Sequence, residues 1–494
     1  MITVQGICIL AFLLGLIVLA LVSQTKINDE KDFIVAGRKL PLYLAWGTLL
    51  ATWYGAGSVI GATQSARTEG LSGSIALDPL SCGFSLILVG FVVAGRIWHM
   101  ELLTTGDLYA RVFGKKTELA SSIIQAISYF PWIASQYVAL GMVFKEVFGI
   151  PEQTGIFLAA AISIVLTISG GMWSVTLTDT AQIVLVMIGM AMIFFQVLLG
   201  MGEGDIIRGL AVMPEKTPAH LWKVVPNETI TALLGWVAMW STGLFGNMPG
   251  QDLMQRVFAS KSAATARNAC ILAGVVYLIM GVIPVTIGMS SHFLLQGDDD
   301  SRILMRMADA ALHPAVKIVF FIALLGAVIS TATSAILSPA CLMGKNILQY
   351  LPGQKGNTLM LTKISVVMVA LVSIPFALFA TSILDLLDQA LGITFVGLFL
   401  PFLVALYAKK PQGDLRGMIS VCAGSSVWLL HLILQYQLPE LEADQVPSTI
   451  SEYLVTFVQT CPPEFTGLLA CLLGLLLMRK PSLSVVTELH PVAV

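Results

Sequence analysis

A chain of 494 residues that is 56% hydrophobic and only 11% charged, with mean hydropathy +0.86, is not a soluble globular protein, which carries about 25% charged residues. The composition requires a polytopic membrane protein, and the formal net charge of -2 adds little, because topology follows where Lys and Arg lie. No stretch is long or polar enough for a soluble catalytic domain, and no Walker motif, HExxH pair, haem histidine set or nucleophile elbow is present, so no enzyme and no organic cofactor are expected.

About thirteen apolar segments of spanning length follow one another, at 3–23, 42–65, 72–95, 119–147, 155–172, 177–201, 227–250, 268–293, 314–344, 360–380, 382–407, 414–436 and 461–478. The first lacks a basic flank and is too long for a signal-peptide core, so it reads as a retained helix. The second carries Ala51-Thr52-Trp53-Tyr54-Gly55-Ala56-Gly57-Ser58-Val59-Ile60-Gly61. Its glycines either pack against another helix or mark a helix that breaks at mid-membrane and frees backbone groups for an ion and a solute. The third holds Asp78, followed by Pro79 and Ser81, an ionisable group that either faces a cavity or sits near the outer interface.

The fourth segment contains Tyr129-Phe130-Pro131-Trp132. Trp132 and Trp53 could wall a cavity and hold a cation against their ring faces. Gly170-Gly171 separates the fifth and sixth segments as a tight turn, and Asp179 stands at the entrance to the sixth. Asp179 is either a helix cap or a charged ligand within the membrane. The seventh carries Ser241-Thr242-Gly243-Leu244-Phe245-Gly246-Asn247-Met248-Pro249-Gly250. Two interrupted segments five apart would open two five-helix repeats, inverted because five is odd. Asp252 and Arg256, four apart, would pair across a helix turn near the cytoplasm.

The ninth segment reads Gly326-Ala327-Val328-Ile329-Ser330-Thr331-Ala332-Thr333-Ser334. Ala327, Ser330 and Thr331 share one helix face; Ser330, Thr333 and Ser334 share the next. Such hydroxyls either bond back to the preceding turn or, with a freed carbonyl, suit a hard monovalent cation, and Asp179 could supply the missing charge. Asp385 and Asp388 open the eleventh segment as an N-terminal turn. The seven cysteines show no metal spacing and read as small core residues.

Basic residues concentrate in one alternating set of loops: Lys26 to Lys39, Arg96 to Lys116, Arg256 to Arg267, Lys345 to Lys363, Lys409 to Arg416, and Arg479 with Lys480. The opposite loops hold acidic runs at Asp298-Asp299-Asp300 and Glu440, Glu442 and Asp444. The N-terminus is therefore expected outside, and the C-terminus in the cytoplasm, of a plasma (inner) membrane.

Together these residues resemble the sodium/solute symporter family, the solute carrier family 5 type. The resemblance rests on Asp32-Phe33-Ile34-Val35-Ala36-Gly37-Arg38, the Gly-rich second segment, Gly170-Gly171 through Asp179 and Gln182, Gln255-Arg256 with Ala259-Ser260-Lys261, and the Ser/Thr cluster. It implies an all-α, leucine-transporter-type fold with a five-plus-five inverted repeat. An N-terminal extra helix and loop would occupy 1–40, the repeats 41–201 and 227–407, and two further helices with a short tail 408–494. It implies a main sodium site of Ala51, Tyr54 and Ala327 carbonyls with Ser330 and Thr331 hydroxyls. Asp179, Ser330, Thr333 and Ser334 match a second sodium site found in some members. The second segment is most similar to the choline-transporter-like branch, although Gly250 stands where that branch has a third aromatic wall. The expected function is sodium-coupled symport of a small polar solute by alternating access. Trp53, Ser58, Asp78, Trp132 and Asn247 are the substrate candidates, and an amine, zwitterion or amino-acid-like compound the favoured solute. An organic acid or sugar, or a transporter-fold sensor, stays open. Expected partners are the solute and membrane lipid, with no nucleic acid and no obligatory protein partner.

Overall fold

The structure is a computed structural model that describes residues 4–295, 302–351, 357–380, 382–438 and 449–478. The acidic runs at 298–300 and 440–444, Lys355, and Arg479 with Lys480 lie outside them. Among the described residues the chain is helical and has no strand, apart from a parallel bridge between Leu40 and Ser260. The reason lies in its solvent: in a bilayer each backbone polar group must be satisfied within the segment, and the helix does so.

Helix starts obey the usual chemistry of a side-chain oxygen accepting an orphan N–H. Thr229 caps Ile230–Ser241, Ser262 caps Ala263–Leu294, and Ser382 caps Ile383–Thr394 through the Asp385 amide. Asp385 thus stands in a first helical turn, as expected.

Nine helices among the described residues are long and apolar enough to span a membrane, or ten if the bent pair Ile450–Thr460 and Pro463–Leu477 is one span. The expectation of thirteen is not reached by that measure, and the shortfall has physical causes. The segments at 155–172 and 177–201 run together as Glu152–Met201, 50 residues in all, about twice the roughly 20 that a bilayer core accommodates. Gly170 (φ -149°) and Gly171 (φ 49°) depart from helical geometry there. The chain bends sharply, since Ser174 Oγ reaches Leu166 O at 2.9 Å, whereas eight residues of straight helix would separate them by about 12 Å. A side chain at Gly171 would collide with Phe33, whose carbonyl lies 2.5 Å from the Cβ position. The second and seventh segments fail the length measure because each is interrupted.

The helix Pro314–Leu342 lies at the centre. Every residue from Ala323 to Leu342 is buried, as a helix enclosed on all sides must be. Glu152–Met201, Lys115–Phe148 and Leu42–Trp53 pack around it, and Val4–Ser23 lays its Ile9, Leu13, Leu16 and Ala20 stripe on that bundle. The basic loops meet at one end. Leu40 N donates to Ala259 O (3.0 Å), Trp98 Nε1 to Ser260 O (2.8 Å), Gln412 N to Val112 O (2.8 Å) and Thr117 N to Asp414 Oδ1 (2.8 Å).

Arg256 requires a correction. It is not a cytoplasmic loop residue paired with the Asp252 carboxylate. All nine residues of Gln251–Ala259 are buried, and Arg256 has 0% exposure. The Asp252 carboxylate is taken by Trp53 and Tyr129, so Arg256 Nη1 donates to the Asp252 carbonyl instead, at 2.8 Å.

Candidate functional site

The second segment is a broken helix. Leu42–Trp53 ends at Tyr54 (φ -82°, ψ 71°), and one wide helical turn, Gly57–Gly61, leads into Ala62–Thr68. The groups freed by the break find side-chain partners, as buried backbone must. Ala56 N donates to Gln136 Oε1 (2.9 Å). The Trp53 carbonyl has Ser58 Oγ at 2.9 Å and Tyr277 OH at 3.1 Å, two hydroxyls that also reach Asp78.

The Ser/Thr strip of the central helix lies against this break. Ser330 Oγ is 2.9 Å from Ala51 O and 2.8 Å from Ala327 O; Thr331 Oγ1 is 3.2 Å and 3.1 Å from the same two carbonyls. Four of the five expected oxygens therefore converge. The fifth, Tyr54 O, belongs to the peptide whose nitrogen is that of Gly55. A Cβ at Gly55 would meet Thr331 Oγ1 at 2.3 Å and Gln136 Oε1 at 2.7 Å, so this peptide presses on the same hydroxyl. Gly55→Ala is expected to raise the half-saturating sodium concentration and to cost about 1–3 kcal/mol of stability through overpacking. Sodium titration and thermal unfolding would measure both, and a variant matching the parent in each would contradict the contact.

Asp179 lies inside Glu152–Met201 rather than at a helix cap. Its Oδ2 accepts from Thr48 Oγ1 (2.6 Å) and Ser334 Oγ (3.3 Å), and Arg256 Nη2 is 3.9 Å away. Of the proposed second set, Asp179 and Ser334 meet directly. Ser330 turns to Ala51, and Thr333 Oγ1 bonds back to Ser330 O at 3.0 Å.

The substrate candidates gather around one cavity. Trp53, Asp78, Trp132 and Asn247 line it, with Gly55, Gly57, Cys82, Gln136, Tyr277, Leu387 and Leu391. Ser58 stands one bond behind, donating to Asp78 Oδ2 at 2.6 Å, while Tyr277 OH donates to Oδ1 at 2.6 Å. Asp78 therefore faces a cavity, held by two hydroxyls. The space measures about 20 Å3, room for roughly one water, so any solute requires the walls to part. Leu387 and Leu391 are its aliphatic lining. Trp53 Nε1 and Tyr129 OH both reach the Asp252 carboxylate at 2.6 Å. Gly250 is absent from the wall and stands at the start of Gln251–Ala259.

The seventh segment breaks at Asn247–Gly250, between Ile230–Ser241 with its wide turn Thr242–Gly246 and Gln251–Ala259. Gln125 Nε2 donates to the freed Pro249 carbonyl at 2.6 Å. Gln125, Tyr129, Trp132 and Gln136 fall at i, i+4, i+7 and i+11 on Lys115–Phe148, one helix face. That face splints both breaks. The polar stripe is visible in the sequence, but its role is not, and neither are those of Tyr277 and Arg256. Cys82, a core residue by its sequence context, lines the cavity.

A family model of the sodium:solute symporter family matches residues 33–420. The chain belongs to that family. Among curated symporter relatives, a Staphylococcus aureus sodium/proline symporter is 25% identical, covering 93% of both chains. The high-affinity choline transporter 1 of Drosophila melanogaster is 24% identical over 78% of this chain and 63% of its own length, less than two thirds of it. The human high affinity choline transporter 1 is also 24% identical, over 79% of this chain and 70% of that protein. The structure of a Na+-coupled sialic acid symporter in a substrate-bound outward-open state superposes with TM-score 0.74 at 14% identity, covering 98% and 99% of the two chains. A nucleobase-cation-symport-1 family transporter in a closed conformation gives TM-score 0.57 at 14% identity, covering 90% and 95%. The fold is thus the leucine-transporter type, this symporter family is made of transporters rather than enzymes, and sodium is the coupling ion.

Proposed function

We propose that this chain is a plasma-membrane sodium symporter that imports a small amine or zwitterion. Ala51, Tyr54, Ala327, Ser330 and Thr331 would hold the main sodium, and Trp53, Ser58, Asp78, Trp132 and Asn247 the solute. The observation that carries the solute class is Asp78, a buried carboxylate on a cavity walled by two tryptophans and without Lys, Arg or His among its described lining residues. A carboxylate with aromatic faces suits an ammonium group, whereas an organic acid would meet like charge.

Sodium would bridge the freed carbonyls of the broken helix to the central helix and fix the outward-open form. Solute binding then lets the two repeats, 41–201 and 227–407, rock about the site, with the N-terminus outside. A membrane potential of about 100 mV contributes roughly 2.3 kcal/mol per net charge moved, or about 1.7 decades of accumulation. With a second sodium at Asp179, Ser330, Thr333 and Ser334, each solute would enter with two. Asp179→Ala is expected to reduce the sodium-to-solute ratio from two to one in reversal-potential measurements on proteoliposomes. An unchanged ratio would remove Asp179 from the coupling. Uptake of labelled amines, amino acids, organic acids and sugars in the same proteoliposomes tests the solute class.

A further inference from the structure

Arg256 and the second sodium make claims on the same oxygens. The Arg256 guanidinium is wholly buried and reaches Ser334 Oγ through Nη2 (2.6 Å), Thr48 Oγ1 through Nε (3.3 Å) and Asp252 O through Nη1 (2.8 Å). Ser334 and Thr48 are also the two hydroxyls that donate to Asp179 Oδ2. The Asp252 carboxylate is already engaged by Trp53 and Tyr129. Asp179 and Asp252 are the two carboxylates of this cluster, and it is the Asp179 carboxylate that the guanidinium faces, at 3.9 Å.

The other Asp179 oxygen is differently placed. Oδ1 is buried without a hydrogen-bond partner among the described residues, and so are both amide atoms of Gln182, one helical turn further on. Buried polar atoms are nearly always paired, so these unpaired atoms, on residues three apart in one helix, leave room for a ligand that the described residues do not supply. A desolvated carboxylate neutralises one monovalent cation well and two poorly, because the cations repel strongly at low dielectric.

We propose that Arg256 is a tethered counter-cation that competes with the second sodium for Asp179. This deepens the two-sodium reading above and rests on it. Sodium entering the Asp179, Ser330, Thr333 and Ser334 set from the side of Asp179 Oδ1, with Gln182 Oε1 as an added ligand, drives the guanidinium off Ser334. One tie between the inner half-helix Gln251–Ala259 and the central helix is then lost, leaving those of Gln255 to Ser338 (3.3 Å) and Cys341 (3.4 Å), and the closure beneath the solute is loosened. When sodium leaves, Arg256 returns, so the empty carrier resets without an uncompensated buried carboxylate. Arg256 is a positioning residue, acting on sodium and on the inner half-helix and not on the solute.

The test is equilibrium binding of 22Na+ to the full chain in nanodiscs, with ionic strength held by potassium chloride. Wild type is expected to bind two sodium ions of unequal affinity. Arg256→Gln should lower the half-saturating concentration of the weaker one by about tenfold, within the usual range of coupling between sites. Arg256→Lys, which keeps the charge but not the fork of donors, should fall between, and Asp179→Asn should bind one. In the unmutated protein, amide hydrogen exchange across Gln251–Ala259 should rise at the midpoint of the weaker sodium. A second sodium that binds Arg256→Gln no tighter than wild type, or exchange that does not rise, overturns the competition while leaving sodium symport standing. A wild type that binds one sodium or none overturns the two-sodium reading, and the competition with it.

Discussion

Asp78→Asn is expected to lower uptake of a cationic amine by roughly 30-fold to more than a thousand-fold, the equivalent of about 2–5 kcal/mol for one partner of a buried charge pair. Sodium binding should remain close to that of the parent. The asymmetry comes from the geometry. Asp78 Oδ1 and Oδ2 accept from Tyr277 and Ser58, and the carboxylate faces the cavity between Trp53 and Trp132. Asparagine has nearly the same shape and can still accept from one of the two hydroxyls, so the fold tolerates it. What it lacks is the charge. Solute competition against bound 22Na+ and direct uptake would be compared on the same preparation. Retained amine uptake with intact sodium binding would remove the solute role of Asp78.

Thr331→Ala should act in the opposite sense, on sodium first. Its hydroxyl is one of two bridging the Ala51 and Ala327 carbonyls. Removing one oxygen from a buried cation forfeits an interaction comparable to a hydrogen bond to a charged group, about 1.5–3 kcal/mol, or roughly 10- to 150-fold in half-saturating sodium. Solute uptake at saturating sodium should recover largely. The hydroxyl also bonds back to its own helix, so a purely structural role predicts a different result: a lower unfolding temperature with unchanged sodium dependence. Titrating uptake against sodium separates the two.

The legible part of this site is the part that breaks a rule of membrane helices. Glycines within Ala51–Gly61, Asn247-Met248-Pro249-Gly250 inside an apolar run, hydroxyls on two faces of one helix, and Asp78 and Asp179 at membrane depth are each costly in lipid, so each marks a constraint. The structure brings these stretches together, with Asp179 against Ser334, Thr48 and Arg256, and Asp78 against Ser58 and Tyr277. Residues that break no rule give no signal. Tyr277 and Gln136 lie in unbroken helices, where a lone tyrosine or glutamine is ordinary, and only the packing of distant helices brings them to the break. Hydropathy misplaces Arg256 for a definite reason. The half-helix Gln251–Ala259 is polar in composition, so the seventh apolar segment ends at Gly250 and residues 251–259 resemble a loop. Burial of that half-helix is a tertiary effect, created by Leu42–Trp53 and Pro314–Leu342 closing around it.

The most direct test of sodium-coupled amine import is uptake into proteoliposomes. A panel of labelled amines, amino acids, organic acids and sugars would be offered under an inward sodium gradient and, in parallel, an equal potassium gradient. The predicted result is that an amine or zwitterion accumulates above its external concentration with sodium and only equilibrates with potassium. Accumulation that is indifferent to the replacement of sodium by potassium, or that is confined to organic acids or sugars, would contradict the account.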